Sequence, residues 1–479
     1  MSGPTRWLRL SVLLAVMLAF ADASIVVLAL PQIVDRLHTS ISHVAWVIVA
    51  YNLSLIAGAA TVVPFAPRLP RQRTLVAGLA VFGLASLAAG SAGSLGVLIV
   101  ARCAQGAGGA LLLCSSLPLF ETSRGTDQSP LAGWAAAAAL GAAIGPAIGG
   151  LLTQLFDWRA IFFAQAPVAA LAAWAVSAAS GAPSRRSARA QPADATPADA
   201  TPGEGRWNWA AASLALALVS AALIGALFLV TVLMIDVWLL TPLATAAVVS
   251  VVPAATVVAE RAGRGRVSPL LTGAGAVTLA AGLAGLALVS HRQLGWVVVA
   301  LALCGTGLGL TVPPLTAASL RSPGLLLRRA ARTIAAHDAG LVLGLLILTP
   351  VFVNNLDAAP KRAIPPITTD VLAAPIPILL KLQIGAGLLA ADKHASPGRL
   401  PDIAPAFDRA ASSANGPTAA RLVVLQQQVQ DLIERAATRS FRQPLLYCAL
   451  FALMAIPALV LGRWPAARRS LSRAPTEPG

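Results

Sequence analysis

The sequence has little charge and few aromatic side chains for its length. Of 479 residues only 11% are charged and 5% are aromatic, whereas 57% are hydrophobic. A soluble core of this size needs a larger polar surface around it, so a soluble globular protein is excluded. The polypeptide therefore belongs in a lipid bilayer.

Signatures of several enzyme and binding classes are also missing. His394 and Asp392 lie close together in sequence but have no nucleophile or metal partner nearby. No P-loop is present, and the cysteines show neither a disulfide framework nor a zinc-binding spacing. The cysteines all fall inside apolar runs, at Cys103, Cys114, Cys304 and Cys448. The sequence predicts no enzyme, no metal site and no cofactor.

Apolar blocks of about 20 residues, the length of a membrane-spanning helix, are what the sequence does contain. The first block is too long for a signal peptide and carries Asp22, so we interpret it as a retained helix. Twelve spans are predicted, at residues 9–30, 43–65, 75–94, 96–118, 131–153, 161–180, 208–232, 241–259, 270–290, 295–318, 334–353 and 444–462.

Two polar segments interrupt this pattern. One is rich in Pro, Ala and Asp and predicts a flexible linker, and the other separates the last two spans and predicts an extracytoplasmic helical insert. The predicted fold is an all-α integral membrane protein of two six-helix bundles. Its parts are an N-terminal bundle 1–180, a cytoplasmic linker 181–207, five helices 208–353, the insert 354–443, the last helix 444–462 and a cytoplasmic tail 463–479.

The basic residues that give the net charge of +16 are distributed between the loops as the predicted topology requires. With the N-terminus inside, the short outer loops hold only Arg36, Arg159 and Arg292, and the other loops are richer in arginine. This bias predicts a multi-pass protein of the bacterial inner membrane with both termini in the cytoplasm. Nucleic acid is not an expected partner, because the arginines are scattered and no aromatic residues are interleaved with them.

Four stretches of the N-terminal half carry motif-like patterns: ADASIVVLALPQI, ARCAQGAGGALL, LGAAIGPAIGGLL and DWRAIFFAQAP. In this order and spacing they resemble the drug:proton antiporter branch of the major facilitator superfamily, a multidrug efflux type. The residues on the motif positions are Asp22 in the first, Arg102, Gln105, Gly106 and Gly109 in the second, and Gly141, Gly145, Pro146, Gly149 and Gly150 in the third.

The glycine motif also has a physical interpretation that is independent of the family. Gly141, Gly145 and Gly149 recur every fourth residue, so they share one helix face and allow another backbone to approach closely. Pro146 lacks an amide hydrogen and is expected to kink the span. Tight packing without a functional bend remains the alternative to a hinge.

Charged residues inside the apolar blocks indicate function, because each costs at least about 2.5 kcal/mol to insert. Asp22 and Arg102 are predicted at similar depths, about 10 Å below the outer surface, and are expected to meet. Arg102 favours a charged carboxylate and burial favours a neutral one, which suits a proton-coupling role for the pair. A permanent ion pair that only joins two helices is the alternative.

His337 and Asp338 are predicted within about one turn of the cytoplasm in the eleventh span. Interfacial snorkelling explains them without any function, and a proton-relay role is the alternative.

One loop departs from the family pattern. The resemblance implies a Gly-x-x-x-Asp-Arg-x-Gly-Arg motif between the second and third spans, and its Gly, Asp and Gly positions are here Val63, Pro67 and Pro70. The missing carboxylate weakens the case for proton-driven transport. The basic residues of the motif are kept as Arg68, Arg71 and Arg73.

The insert contains an amphipathic segment at residues 418–442. Its apolar stripe predicts a helix that continues, with a kink, into the last span, and residues 371–390 are apolar enough to cover it. The pair is interpreted as an outer lid that receives cargo or docks a periplasmic partner, or else as a self-packed cap. The stripe consists of Leu422, Leu425, Val429, Leu432 and Ala436.

The sequence thus predicts a secondary active transporter that exports a hydrophobic or amphipathic small molecule, such as a drug, metabolite or lipid. Transport is expected to proceed by alternating access with coupling to protons. The alternative is an uncoupled, transporter-like membrane scaffold that acts through its insert.

Overall fold

The structure is a computed structural model that describes residues 3–65, 70–122, 130–179, 208–263, 268–322, 326–394, 402–412 and 414–461. Every regular element within these ranges is helical. The predicted linker and tail, and the loop residues Pro67 and Arg68, lie outside the described residues.

Eight helices form the N-terminal half. The first two are joined by a 3-10 turn, Val26–Ala29, so that Trp7–Arg36 is one continuous apolar segment. The helices are α1 Gly3–Ile25, α2 Leu30–Arg36, α3 Ile41–Val44, α4 Trp46–Phe65, α5 Arg71–Gly90, α6 Leu95–Thr122, α7 Pro130–Leu155 and α8 Arg159–Ala179.

The C-terminal half begins with six helices and is interrupted by a four-helix insert before its last helix. The six are α9 Trp209–Val232, which ends in a π-helical turn Leu233–Val237, α10 Pro242–Val249, α11 Val251–Gly263, α12 Pro269–Ala287, α13 Leu294–Ser319 and α14 Leu326–Asp357. The insert and the last helix are α15 Ala359–Ala373, α16 Ile378–His394, α17 Ala404–Ser412, α18 Gly416–Ser440 and α19 Arg442–Leu461.

Among the described residues, 11 helical segments are long and apolar enough to cross a membrane. A further helix, α7, contributes the shorter apolar stretch Leu140–Leu155. The chain is therefore an all-helical, multi-pass membrane protein.

Glycines set the distances between neighbouring helices. In α5 and α6, a Cβ on Gly78 would lie 2.7 Å from the Leu112 nitrogen, and one on Gly108 would lie 2.6 Å from the Phe82 nitrogen. Small residues of this kind let two backbones come into contact, which is a main source of helix association in lipid. Glycines allow the same close backbone contact between α12 and α13.

The two halves meet along a few helices. On the N-terminal side α4 and α6 pack against α14, and α7 packs against α10. At the α7–α10 contact, a Cβ on Gly150 would lie 2.8 Å from the Pro242 carbonyl oxygen. Polar groups on α14 therefore lie beside the helices of the N-terminal half.

The insert has a small core of its own. Leu422, Leu425 and Val429 are buried against residues of α15, α16 and α17, and Leu432 and Ala436 are partly buried there. An apolar stripe on a water-exposed helix needs such a partner. A turn at Phe441 separates α18 from α19, so the amphipathic helix leads into the last apolar helix.

Candidate functional site

A buried ion pair lies inside the N-terminal half. Asp22 on α1 and Arg102 on α6 are both 0% exposed, and Arg102 Nη1 lies 2.7 Å from Asp22 Oδ2. The expected contact between these two side chains is present. A buried pair needs further hydrogen bonds to offset its loss of hydration.

Three polar side chains from neighbouring helices supply these hydrogen bonds. Gln165 Nε2 on α8 donates to Asp22 Oδ1 at 2.8 Å, and Gln105 Nε2 donates to Gln165 Oε1 at 2.7 Å. Gln105 Oε1 accepts from Arg102 Nη1 at 2.7 Å, and Gln105 Nε2 also lies 2.9 Å from Ser86 Oγ. We call Asp22, Arg102, Gln105, Gln165 and Ser86 the charge network.

Arg102 is held on its other sides by α4. Its Nε donates to the Val47 carbonyl oxygen at 3.0 Å, and its guanidinium carbon lies 4.3 Å from the centre of the Tyr51 ring. This stacking is a cation-π contact in a desolvated site. Two buried groups here have no hydrogen-bond partner within the described part of the chain, the Nη2 atom of Arg102 and the Tyr51 hydroxyl.

The glycines of the second motif make room for α4. A Cβ on Gly106 would collide with the Tyr51 carbonyl oxygen, and one on Gly109 would lie 3.0 Å from the Tyr51 hydroxyl oxygen. These glycines therefore bring α4 close enough for Tyr51 to reach Arg102.

The glycines of the third motif seat α7 on α1, which carries Asp22. A Cβ on Gly141 would collide with Met17, and one on Gly145 with Ser24. One on Gly149 would lie 2.7 Å from the Ile25 carbonyl oxygen. The motif thus packs α7 closely against α1. Pro146 is buried within α7, which continues past it, and Gly150 faces α10 instead.

His337 and Asp338 lie about three turns from the start of their helix, α14, which begins at Leu326. Asp338 is only 6% exposed, and His337 Nδ1 lies 2.7 Å from Ser220 Oγ on α9. Asp338 is buried and His337 is partly buried within the protein, so interfacial snorkelling does not account for Asp338.

The charge network combines one acidic, one basic and three uncharged polar side chains, all of them buried within the protein. Such a site holds Asp22 in a fixed position and gives each of its oxygens a donor. A proton arriving at Asp22 would remove the negative charge that faces Arg102. Among the described residues, no group of three or more His, Cys, Asp or Glu side chains is placed to hold a metal ion.

Three members of this site were not identified in the sequence. Gln165, Ser86 and Tyr51 are uncharged, and amide, hydroxyl and phenol groups occur in apolar helices without a specific function. The one available signal is that Gln165 lies inside the DWRAIFFAQAP stretch, which resembles a family motif.

Comparisons with known proteins identify the family of the chain. The family model of the Major Facilitator Superfamily matches residues 12–349. The lincomycin resistance protein of Streptomyces lincolnensis is 34% identical over 178 residues, which are 36% of this chain and 36% of that protein. The puromycin resistance protein of Streptomyces alboniger is 34% identical over 177 residues, which are 35% of this chain and 34% of that protein. The chain thus matches only about a third of the length of these relatives.

Solved structures share the fold. A bacterial homologue of the human lysosomal transporter Spinster, in its inward-facing and unoccupied conformation, gives a TM-score of 0.62 at 15% identity. Its occupied form gives 0.64 at 14% identity, and both comparisons cover 98% of this chain and 100% of the other. Because the family model covers most of the chain, the resemblance is confirmed. The chain is a multi-pass membrane protein and belongs to the Major Facilitator Superfamily.

Proposed function

We propose that the protein exports a small hydrophobic or amphipathic molecule by alternating access, in exchange for protons. The relatives that match part of the chain are named for resistance to lincomycin and puromycin and for multidrug efflux. Helices built mainly of Ala, Leu, Val and Gly offer an apolar path with few hydrogen-bonding groups, which suits a hydrophobic cargo.

The single observation that carries proton coupling is the fully buried contact between Asp22 and Arg102. A protonated Asp22 no longer attracts Arg102, whose charge is still supported by Gln105 and the Val47 carbonyl. The strength of the α1–α6 contact thus depends on the proton, and alternating access requires an element of this kind. His337 and Asp338 belong to the same proposed machinery.

The proposed layout is two six-helix bundles joined on the cytoplasmic side, with both termini in the cytoplasm and the insert outside. Its support is the 11 long apolar segments together with α7. The sorting of arginines between loops supports the orientation.

The direct test is export from cells that lack other exporters. Cells producing the protein are challenged with lincomycin, puromycin and ethidium, with and without an uncoupler. We expect lowered accumulation of at least one compound and loss of that effect with the uncoupler. Everted vesicles should likewise take up the compound only when a proton gradient is imposed.

A second candidate is an uncoupled scaffold that binds a periplasmic partner through the insert. The observation in its favour is that α15–α18 form a separate core. This candidate predicts no gradient-dependent uptake of any compound in everted vesicles. Export that stops with the uncoupler would eliminate it.

A further inference from the structure

Tyr51 occupies an unusual position for a tyrosine in an apolar helix. Its side chain is 1% exposed, its ring lies against the Arg102 guanidinium, and its hydroxyl has no partner among the described residues. Buried hydroxyl groups are nearly always hydrogen-bonded in proteins. An unsatisfied one marks a place for an ordered water or for a partner that arrives during the working cycle.

The hydroxyl lies against α6. It lies beside Gly109, seven residues further along that helix, where a Cβ would be 3.0 Å from the hydroxyl oxygen. Seven residues correspond to about 10 Å of helix. Tyr51 therefore links the charge network to a part of α6 near Gly109, and both α4 and α6 pack on α14 of the other half.

Asp338 faces this region from the C-terminal half. Two residues further along α14, Gly340 is pressed against the Ala217 carbonyl oxygen of α9. Residues two apart point about 200° apart around a helix. Asp338 is thus directed away from α9, towards α4 and α6, which also pack on α14.

Tyr51 and Asp338 lie on helices that pack against each other, since α4 and α6 both contact α14. Among the described residues no basic side chain forms an ion pair with Asp338. A buried carboxyl group without a cationic partner is suited to hold a proton, because its ionised form is costly to bury.

We propose that the Tyr51 hydroxyl is the proton relay between Asp338 and the charge network, which rests on the proposed function. The Asp338 O–H bond breaks as its proton passes to the Tyr51 oxygen, and the Tyr51 O–H bond breaks as its proton passes to the Asp22 carboxylate. Bridging water molecules carry the proton across gaps longer than one hydrogen bond. Arg102 keeps its charge, and the tyrosine is regenerated.

The test uses the full-length protein in proteoliposomes with radiolabelled puromycin as the probe. One assay measures accumulation driven by an imposed pH gradient. The other measures exchange of labelled for unlabelled puromycin at equal pH, which needs no net proton transfer. Tyr51→Phe removes only the hydroxyl, so driven accumulation should fall about tenfold or more while exchange stays within about twofold of the wild type.

The chain offers a matched control, since Tyr447 is its only other tyrosine. It lies in α19, where Gln443 Nε2 donates to its hydroxyl at 2.9 Å. Tyr447→Phe should leave both assays unchanged. Asp338→Asn should lower driven accumulation and leave exchange nearly unchanged, as expected for Tyr51→Phe. Full driven accumulation by Tyr51→Phe, or equal loss in both assays, would overturn the relay. A wild-type protein that ignores the pH gradient would instead overturn the proposed function.

Discussion

The two halves of the molecule share their backbone contacts but differ in their polar groups. In both halves a glycine of one helix is pressed against a carbonyl oxygen of the next, and matching glycines are about 200 residues apart, as in a parallel repeat. The matching pairs are Gly106 and Gly305, Gly108 and Gly307, Gly141 and Gly340, and Gly145 and Gly344.

Three members of the charge network have uncharged counterparts in the second half. At a spacing of 199 or 200 residues Asp22 pairs with Ala222, Arg102 with Leu301 and Gln105 with Cys304, and all three counterparts are buried. Packing of the helices is thus common to both halves, whereas the titrating groups are not. The second half has His337 and Asp338 on α14 instead. We infer that the glycines serve the fold of both halves and that coupling depends on groups specific to each.

The largest effect is expected from Asp22→Asn. An amide keeps the size of the carboxyl group but does not bind a proton, so transport driven by a pH gradient should fall by about a hundredfold or more. Protein level and thermal unfolding should change little. The counterpart substitution Ala222→Ser, at an equally buried position, should leave transport unchanged. Wild-type transport by a well-expressed Asp22→Asn protein would rule out its coupling role.

Substitution of a matched glycine pair tests whether the close helix contacts at these glycines matter equally in the two halves. Gly145→Val and Gly344→Val each add a branched side chain where a Cβ would meet the neighbouring helix, and both should abolish transport while the protein still inserts. Gly273→Val is the control, because that position has open space around it. Transport that survives in only one of the two variants would show that the halves are not equivalent.

Asp22 and Arg102 were predictable from the sequence because charge in an apolar helix is costly and needs a nearby partner. Gln165, Ser86 and Tyr51 were not, because an amide, a hydroxyl or a phenol carries no comparable cost. Only the packing of α4 and α5 on α6, and of α8 on α1 and α5, reveals that these side chains converge.

The helix that carries Asp338 is longer than the predicted eleventh span. That span begins at residue 334, after Arg328, Arg329 and Arg332. The helix begins at Leu326 and includes these arginines, one of which, Arg332, stacks on Trp209 at 5.6 Å. Hydropathy marks the limits of the apolar run and not the ends of the helix.

A smaller effect is expected from Gln165→Leu. The change removes the 2.8 Å donor to Asp22 and leaves Oδ1 with Gln105 Nε2 at 3.3 Å. Loss of a hydrogen bond to a charged group costs about 1.5–3 kcal/mol, so driven transport should fall about tenfold. The control is Gln72→Leu, which removes a bond that also ties α8 to a neighbouring helix, from Gln72 Nε2 on α5 to the Val176 carbonyl at 2.7 Å. Equal effects of the two changes would show that Gln165 acts only on stability.

The insert is the largest departure from the match between the halves. In the N-terminal half α7 and α8 are joined by residues 156–158 alone, whereas α14 and α19 are separated by the whole insert. The insert is also tied to the second half, since Trp238 Nε1 donates to Thr438 Oγ1 at 3.2 Å and Ser440 Oγ donates to the Asn355 carbonyl at 3.0 Å. A deletion must keep Thr438 and Ser440, because loss of Thr438 would leave the buried indole N–H of Trp238 without its hydrogen-bond acceptor.

We therefore expect the smallest effect from replacing residues 359–436 with a short Gly-Ser linker. The insert has its own core, so its removal should leave α1–α14 and α19 folded, with an unchanged thermal unfolding midpoint. If α15–α18 form a lid that receives cargo, export of puromycin should fall by a few-fold while exchange at equal pH persists. A control with Leu425→Asp and Val429→Asp disrupts the insert core without shortening the chain and should reproduce the loss. Undiminished export by the shortened protein would show that the insert is a self-packed cap with no role in export.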